Sequence, residues 1–317
     1  MSEPRVSKFD FGRAPNDAGR SQCAGGSFAI IAANPFSGSG PTRRRVADLA
    51  ASLARRGIEP RIIWDRAERT AALEQPNLAE RCCCVVAAGG DGTVADVINE
   101  ISDSVPFATL PSGNENLFAR QFGFTRNGRV LARAIAAGRT HQIDLARAGE
   151  RLFSLMLSAG FDAAVVHQVV QWRISGKSMR RVNRFSYAKP IVDTLRNYGY
   201  GRLELEADGV RMAGTHAFAF NLPQYGFQMP FAPMASGDDG LLDWLVFERP
   251  GFGSMASYLM SLVRGKHFER ADVHHGRARR IKITATVPVP VQMDGEAAGF
   301  TPVELEIVPQ ALRVIAS

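Results

Sequence analysis

Three small-residue loops, each directly following a short apolar run, constrain this chain most strongly. Asn34-Pro35-Phe36-Ser37-Gly38-Ser39-Gly40 follows FAIIAA, Gly89-Gly90-Asp91-Gly92-Thr93 follows CCCVVAA, and Pro111-Ser112-Gly113-Asn114-Glu115-Asn116 follows VPFATL. Stretches of helical periodicity come next, TRRRVADLAASLARRG after the first loop and TVADVINEIS after the second. IEPRIIW reads as a further strand, and NLFARQFG and GRVLARAIAAG as further helices. Parallel strands need crossover connections, and strand–helix alternation supplies them, so this half reads as an α/β domain with a parallel sheet covered by helices. Loops after successive parallel strands collect at one edge of the sheet, where open α/β sheets bind ligands.

After about Gly138–Ile143 the texture changes. RLFSLMLSAG, GRLELEAD, THAFAFNL, LLDWLVFE, RIKITAT, VPVQMDG and VELEIVP read as strands, with Asp-Gly turn signals at Asp208-Gly209, Asp239-Gly240 and Asp294-Gly295. Helical insertions are expected near 178–197 and 252–264. The division is therefore a loose tail over 1–26, an α/β domain over 27–140 and an antiparallel β domain over 141–317, natural for 317 residues.

Composition narrows the function classes. No apolar run approaches the ~20 residues that cross a bilayer, and the first 26 residues are polar and Gly-rich without a signal core. A cytoplasmic protein that visits membranes from outside is the expectation. The net charge of +7 suits anionic lipid headgroups, nucleotide phosphates or a merely solvated surface. No nucleic-acid-binding motif accompanies it. The run Lys177, Arg180, Arg181, Arg184 lies among aromatic residues and could meet an anionic membrane surface. Cys82, Cys83 and Cys84 lack metal-ligand spacing and read as small buried hydrophobes, thiols in a reduced compartment. His167 sits in an apolar run and reads as a satisfied core histidine; His274 and His275 read as exposed.

The second loop carries the most chemistry. Its glycines let backbone N–H groups approach a polyphosphate. Asp91 offers the oxygen ligand that magnesium prefers, and Thr93 can cap the following helix or bond a phosphate.

Together the loops resemble the diacylglycerol kinase catalytic family, which also holds sphingosine and ceramide kinases. That family's pattern is an NPxSG loop, a GGDGT loop and a PxGTxNDxAR loop. Ser236-Gly237-Asp238-Asp239-Gly240-Leu241-Leu242-Asp243 and Gln292-Met293-Asp294-Gly295-Glu296 resemble its DGxLD and QxDGE segments, and RLFSLMLSAGFDA its strand ending in G-x-D. The resemblance runs in order from about Phe28 to Glu296. It implies an NAD-kinase-like α/β domain, a C-terminal β-sandwich, an active site in the cleft between them, and an enzyme using ATP and magnesium to phosphorylate a lipid hydroxyl. By the same resemblance Asn34, Ser37, Gly38, Gly90, Asp91, Gly92, Thr93, Gly113 and Asn114 line the nucleotide, Asp91 holds magnesium through water, and Glu296 is the general base. In the sphingosine kinase branch the aspartate that matches Asp91 is given the base role instead. Ser236, Asp239 and Leu241 correspond to a second magnesium site, Ser236 and Leu241 through carbonyls. Arg120 and Asp144 correspond to supporting positions, and Asp162 to a substrate contact or a buried structural carboxylate. Implied partners are a lipid at an anionic membrane surface and ATP, with a homodimer left open.

The chain departs from the pattern at Ala95 and Asp96, where Asn and Glu are usual, and at Asn114 and Leu117, where Thr and Asp are usual. These changes leave the acceptor open between diacylglycerol and a sphingoid or ceramide lipid. NAD kinase shares the GGDGT loop but not the other segments. A dinucleotide-dependent oxidoreductase rests on Gly90-x-Gly92-x-x-Ala95 alone.

Overall fold

The computed structural model describes residues 27–34, 41–174, 191–194 and 198–317. Ser37, Gly38 and the basic run at 177–184 lie outside the described residues. Two compact units result: one runs to Leu145 and takes in Pro309–Ser317, the other spans Ala146–Val308. The last nine residues thus belong with the first unit, which no sequence pattern indicated.

In the first unit β2 (Glu59–Ile63), β1 (Phe28–Ala33), β3 (Cys82–Gly89) and β4 (Phe107–Pro111) lie side by side in that order. All three pairings are parallel. Every residue of β1, β3 and β4 is buried, as expected of parallel strands covered on both faces. α1 (Pro41–Ala54) turns Val46, Leu49 and Leu53 inward at helical spacing, leaving Arg43 and Arg44 exposed. α2 (Arg66–Leu73), α3 (Leu78–Arg81), α4 (Asp91–Ile98), α5 (Leu117–Gln121) and α6 (Gly128–Ala137) complete the helices of this unit. β16 (Val303–Ile315) closes the sheet where Val314 pairs in parallel with Phe107 of β4.

Cys82 and Cys84 are free, buried thiols; burial pushes Cys82 up to about 11 and Cys84 well up. Cys83 is disulfide-bonded, so the all-thiol expectation fails there. Alternation along β3 points its side chain away from the face that holds the other two.

The second unit is a two-layer sandwich. One layer holds β6 (Arg151–Phe153), the start of β16, β13 (Arg280–Ala285), β8 (Leu203–Ala207) and β9 (Val210–Gly214), together with the end of β5 (Thr140–Ala148), which pairs β6. The other runs β12 (Val273–Ala278), β11 (Leu242–Phe247), β10 (His216–Phe220), β7 (Met156–Ala159), β14 (Pro290–Met293), β15 (Glu296–Phe300), each pair antiparallel. Leu157, Ala217, Ala219, Trp244 and Val246 from this layer meet Leu203, Leu205, Ile281, Ile283 and Leu305 from the first, forming the core. The opposite face of the six-stranded layer carries α7 (Phe161–Ile174) against β7, β14 and β15. α8 (Phe252–Val263) follows β11, and its Tyr258 ring meets Phe247 with centroids 4.8 Å apart.

One strand expectation is corrected. RLFSLMLSAG is not one strand but β6 and β7, because the Asp294 carboxylate captures the backbone N–H groups of Ser154, Leu155 and Met156 at 2.8–2.9 Å. The stretch that carries His274 and His275 is strand β12, paired along its whole length with β11. His274 is part-exposed and His275 is exposed, as expected from the sequence, with the His275 ring packed on Phe268 at 4.8 Å.

Candidate active site

The carboxyl ends of β1, β3 and β4 carry Asn34, Gly90 and Gly113, and the three loops are tied together there. The Asn34 backbone N–H donates to Ala88 O at 3.2 Å, and its Nδ2 donates to Thr93 Oγ1 at 3.1 Å. Ser112 N–H donates to Gly89 O at 2.9 Å. A Cβ on Gly89 would fall 2.1 Å from Thr93 Oγ1, and one on Gly113 would fall 2.7 Å from Gly90 Cα. The two glycine loops therefore pass with backbones touching, which only residues without side chains allow.

Gly90 caps α4, and Asp91, Gly92 and Thr93 form its first turn. That turn presents backbone N–H groups and the positive end of the helix dipole, an arrangement suited to phosphate. Asp91 Oδ1 accepts from Phe118 N–H at 3.2 Å, fixing the carboxylate across the third loop. In that loop Asn116 adopts φ 50° and closes on Gly113 twice, accepting from its N–H at 2.8 Å and donating to its carbonyl at 2.7 Å. Asn114 is exposed beside this turn. Arg120 sits 4.0 Å from Glu115. Asp144 is only 2% exposed and accepts from the Gln310 N–H at 2.8 Å, so it secures the returning end of β16. Asp96, one of the departures, meets Arg66 at 3.3 Å and Arg69 at 3.8 Å, beside the bidentate Arg69–Glu100 pair.

In the second unit Glu296 opens β15 and forms an ion pair with Arg151 of β6, both side chains part-exposed. Sequence reading missed Arg151. It took Asp294, two residues away, only as a turn and motif residue; Asp294 is buried and takes four hydrogen bonds, the fourth from Ser154 Oγ at 3.1 Å. Burial pushes the Asp294 carboxyl up, while these donors oppose the shift.

Asp162 lies in the first turn of α7. Ser158 Oγ donates to its Oδ2 at 2.5 Å, Gln292 Nε2 donates to the same oxygen at 3.1 Å, and Tyr225 Oη donates to its Oδ1. His167 is satisfied at 2.8 Å by Val291 O, as expected. His216, which no motif marked, is buried beside Tyr198 and Tyr200. Phe161 N–H donates to His216 Nδ1 at 3.2 Å, and among the described residues Nε2 and both tyrosine hydroxyls have no hydrogen-bond partner. Burial brings His216 down to about 4 and Tyr198 up to about 12.

The Gly90–Gly113 cradle and the α4 turn fit a polyphosphate, and Asp91 is an oxygen donor of the class magnesium takes. At the second implied metal position, Asp239 Oδ1 accepts from Leu241 N–H at 3.0 Å and Oδ2 pairs with Arg277. Ser236 Oγ donates to Asp238 at 2.5 Å. Asp239 thus takes one backbone donor and one guanidinium, and its carboxylate keeps lone pairs beyond these two contacts, an oxygen donor of the class magnesium takes. Among the described residues no three His, Cys, Asp or Glu side chains cluster as a ligand set.

A parallel α/β unit with a glycine-lined phosphate cradle, joined in one chain to an antiparallel sandwich, defines a two-domain phosphotransferase. Residues 29–148 match the model described as Diacylglycerol kinase catalytic domain. Residues 155–316 match that described as YegS C-terminal NAD kinase beta sandwich-like domain. The chain belongs to this family of kinases, with both of its domains present. It is similar to Diacylglycerol kinase of Bacillus subtilis (strain 168), 24% identical over 238 residues, 73% of this chain and 77% of the relative. It is also similar to Diacylglycerol kinase of Staphylococcus haemolyticus (strain JCSC1435), 27% identical over 282 residues, 86% of this chain and 83% of the relative. A solved diacylglycerol kinase from Bacillus anthracis str. Sterne shares the fold, with TM-score 0.68 at 19% identity over 92% of this chain and 97% of that one.

Proposed function

We propose that this kinase transfers the γ-phosphoryl group of ATP, bound with magnesium, to the hydroxyl of a lipid, with diacylglycerol the first candidate acceptor. The observation that carries this reading is the backbone contact of Gly90 with Gly113 beside the Asp91 carboxylate at the head of α4. Phosphoryl transfer asks a protein mainly for positioning and charge neutralisation. Magnesium, held from Asp91 through water, would supply neutralisation on the β- and γ-phosphates. The N–H groups of the α4 first turn would hold the phosphate chain, and Thr93, tied to Asn34, would fix the loop. Glu296 would take the proton as the acceptor oxygen bonds to phosphorus and the bond to the ADP oxygen breaks. Arg151 would orient Glu296 through their ion pair.

The diacylglycerol assignment is supported by the relatives' names. It is also supported by Asp162, whose two oxygens already accept from three side chains and so act as an internal strut rather than a sphingoid headgroup contact. The test is transfer from labelled ATP to diacylglycerol, ceramide, sphingosine, monoacylglycerol and phosphatidylglycerol in mixed micelles, with NAD alongside. Phosphorylated diacylglycerol, lost in Asp91→Asn and Glu296→Gln, is the expected result. Transfer to NAD and to no lipid would sink the proposal.

A further inference from the structure

The structure points to the outer face of α8 as a membrane-docking surface, and we propose that it seats on an anionic lipid bilayer. Phe252 (65% exposed), Leu259 (50%), Met260 (50%) and Val263 (66%) stand out from this helix. With exposed Ala256 they follow the spacing of a single helical face. The twelve residues of α8, FGSMASYLMSLV, contain no charge. Surface helices in the first unit behave oppositely: α1 exposes Arg43 and Arg44, and α6 exposes Arg129 and Arg133.

The inner face of α8 is firmly held, so the outward stripe is a fixed feature. Tyr258, Ser261 and Leu262 are buried. The Tyr258 hydroxyl accepts from Arg249 N–H at 2.9 Å and donates to the Asp272 carboxylate at 3.3 Å, and the Arg270 guanidinium lies over its ring at 4.8 Å.

Charge complementarity selects the occupant. No acidic residue occurs from Arg249 to Phe268. Arg249 stands exposed before the helix, although it also meets Asp272 at 3.2 Å. Arg264 and Lys266 stand exposed just after it. An apolar stripe with cations at its ends matches acyl chains beneath an anionic headgroup layer. Protein interfaces are anchored near their centre chiefly by Trp, Tyr and Arg, and the stripe here has none of these, its centre being Leu259 and Met260. No helix among the described residues is long and apolar enough to cross a membrane, so a surface contact of this kind would be the route to a bilayer-borne acceptor. That last step rests on the lipid-kinase reading; the docking surface itself does not.

The experiment is co-sedimentation of the full chain with phosphatidylcholine vesicles, with and without phosphatidylglycerol. It compares the wild type, Leu259→Ser/Val263→Ser, Arg264→Glu/Lys266→Glu, and Met260→Trp. Wild type should partition to the anionic vesicles, each double variant should lose about tenfold or more, and Met260→Trp should gain. Melting temperature and turnover of a dispersed short-chain acceptor should stay unchanged, showing that the variants fold. Unchanged vesicle binding in both double variants overturns the proposal. So does a shift from dimer to monomer in light scattering without loss of vesicle binding, which would make the face a contact between copies. If the wild type binds vesicles through α8 but phosphorylates no lipid, the surface stands and the substrate reading fails. If α8 changes leave both vesicle binding and transfer to vesicle lipid intact, the surface fails and the substrate reading stands.

Discussion

Gly113 and Gly90 touch backbone to backbone: a Cβ built on Gly113 would lie 2.7 Å from the Gly90 Cα. The obstacle is main chain, which cannot swing away as a side-chain tip can. Gly113→Ala should therefore push the second and third loops apart, destabilising the unit by about 1–3 kcal/mol. ATP binding should suffer more than stability, because the cradle is the part that moves. Calorimetric titration with ATP and thermal melting of the variant check both effects. Unaltered ATP affinity would remove the cradle from the nucleotide site.

Arg69 and Glu100 form a bidentate ion pair, with Nε–Oε2 at 2.7 Å and Nη2–Oε1 at 2.5 Å. The Arg69 side chain is 8% exposed, and its pKa is raised chiefly by the hydrogen bonds to Glu100. Arg69→Met leaves a mostly buried carboxylate with only the Arg66 guanidinium at 3.9 Å and should cost about 3 kcal/mol. Arg69→Met combined with Glu100→Leu should recover most of that loss. Urea denaturation of the two single variants and the double variant measures the coupling, and a double variant as weak as Arg69→Met would contradict it.

Glu296 and Arg151 give the catalytic prediction. A general base contributes about 10²–10⁴-fold, so Glu296→Gln should cut kcat by that range with KM for ATP nearly unchanged. Arg151→Gln keeps the carboxylate but frees it to turn. It should lower kcat by a smaller factor, about tenfold, and Arg151→Lys should restore part of it. Steady-state kinetics on the three variants separate the roles. Arg151→Gln with full kcat would assign the ion pair to strand pairing alone.

The nucleotide side of this protein was legible in sequence because its chemistry is local. Each loop is a short run of small residues directly after an apolar strand, and the order β1, β3, β4 brings Asn34, Gly90 and Gly113 to one edge. The second unit was legible only as strands, because its key contacts join distant positions. Arg151 meets Glu296 across 145 residues, and Asp294 gathers three N–H groups from a bend that reads as unbroken strand. The Asp294-Gly295 turn was visible, but not that its carboxylate points inward. β16 read as a strand ending near Pro309, yet it continues to Ile315 and its last residues serve the first unit. No local pattern marks a strand that changes partners partway. Asp96 shows the converse: a departure from the family motif that the structure explains through Arg66 and Arg69.

His216 carries the pH prediction. Burial holds it near 4, against an ordinary value of 6.5. The titratable neighbours facing it are Tyr198 and Tyr200, both neutral in acid, so nothing there compensates an imidazolium. As pH falls from 6.5 toward 4, the unfolded chain takes up a proton that the folded chain refuses. Stability contributed by the neutral ring is thus complete above pH 6.5 and lost progressively below it, on the order of 3 kcal/mol by pH 4. His267, also lowered by burial, adds to the same slope. His216→Gln keeps an acceptor for Phe161 N–H and removes the titration. Urea denaturation at pH 7, 6 and 5 should show wild type losing stability faster than the variant, with the difference growing as pH falls. Parallel slopes would mean that the ring takes up its proton without opening the fold, through water reaching the pocket beside Tyr198 and Tyr200.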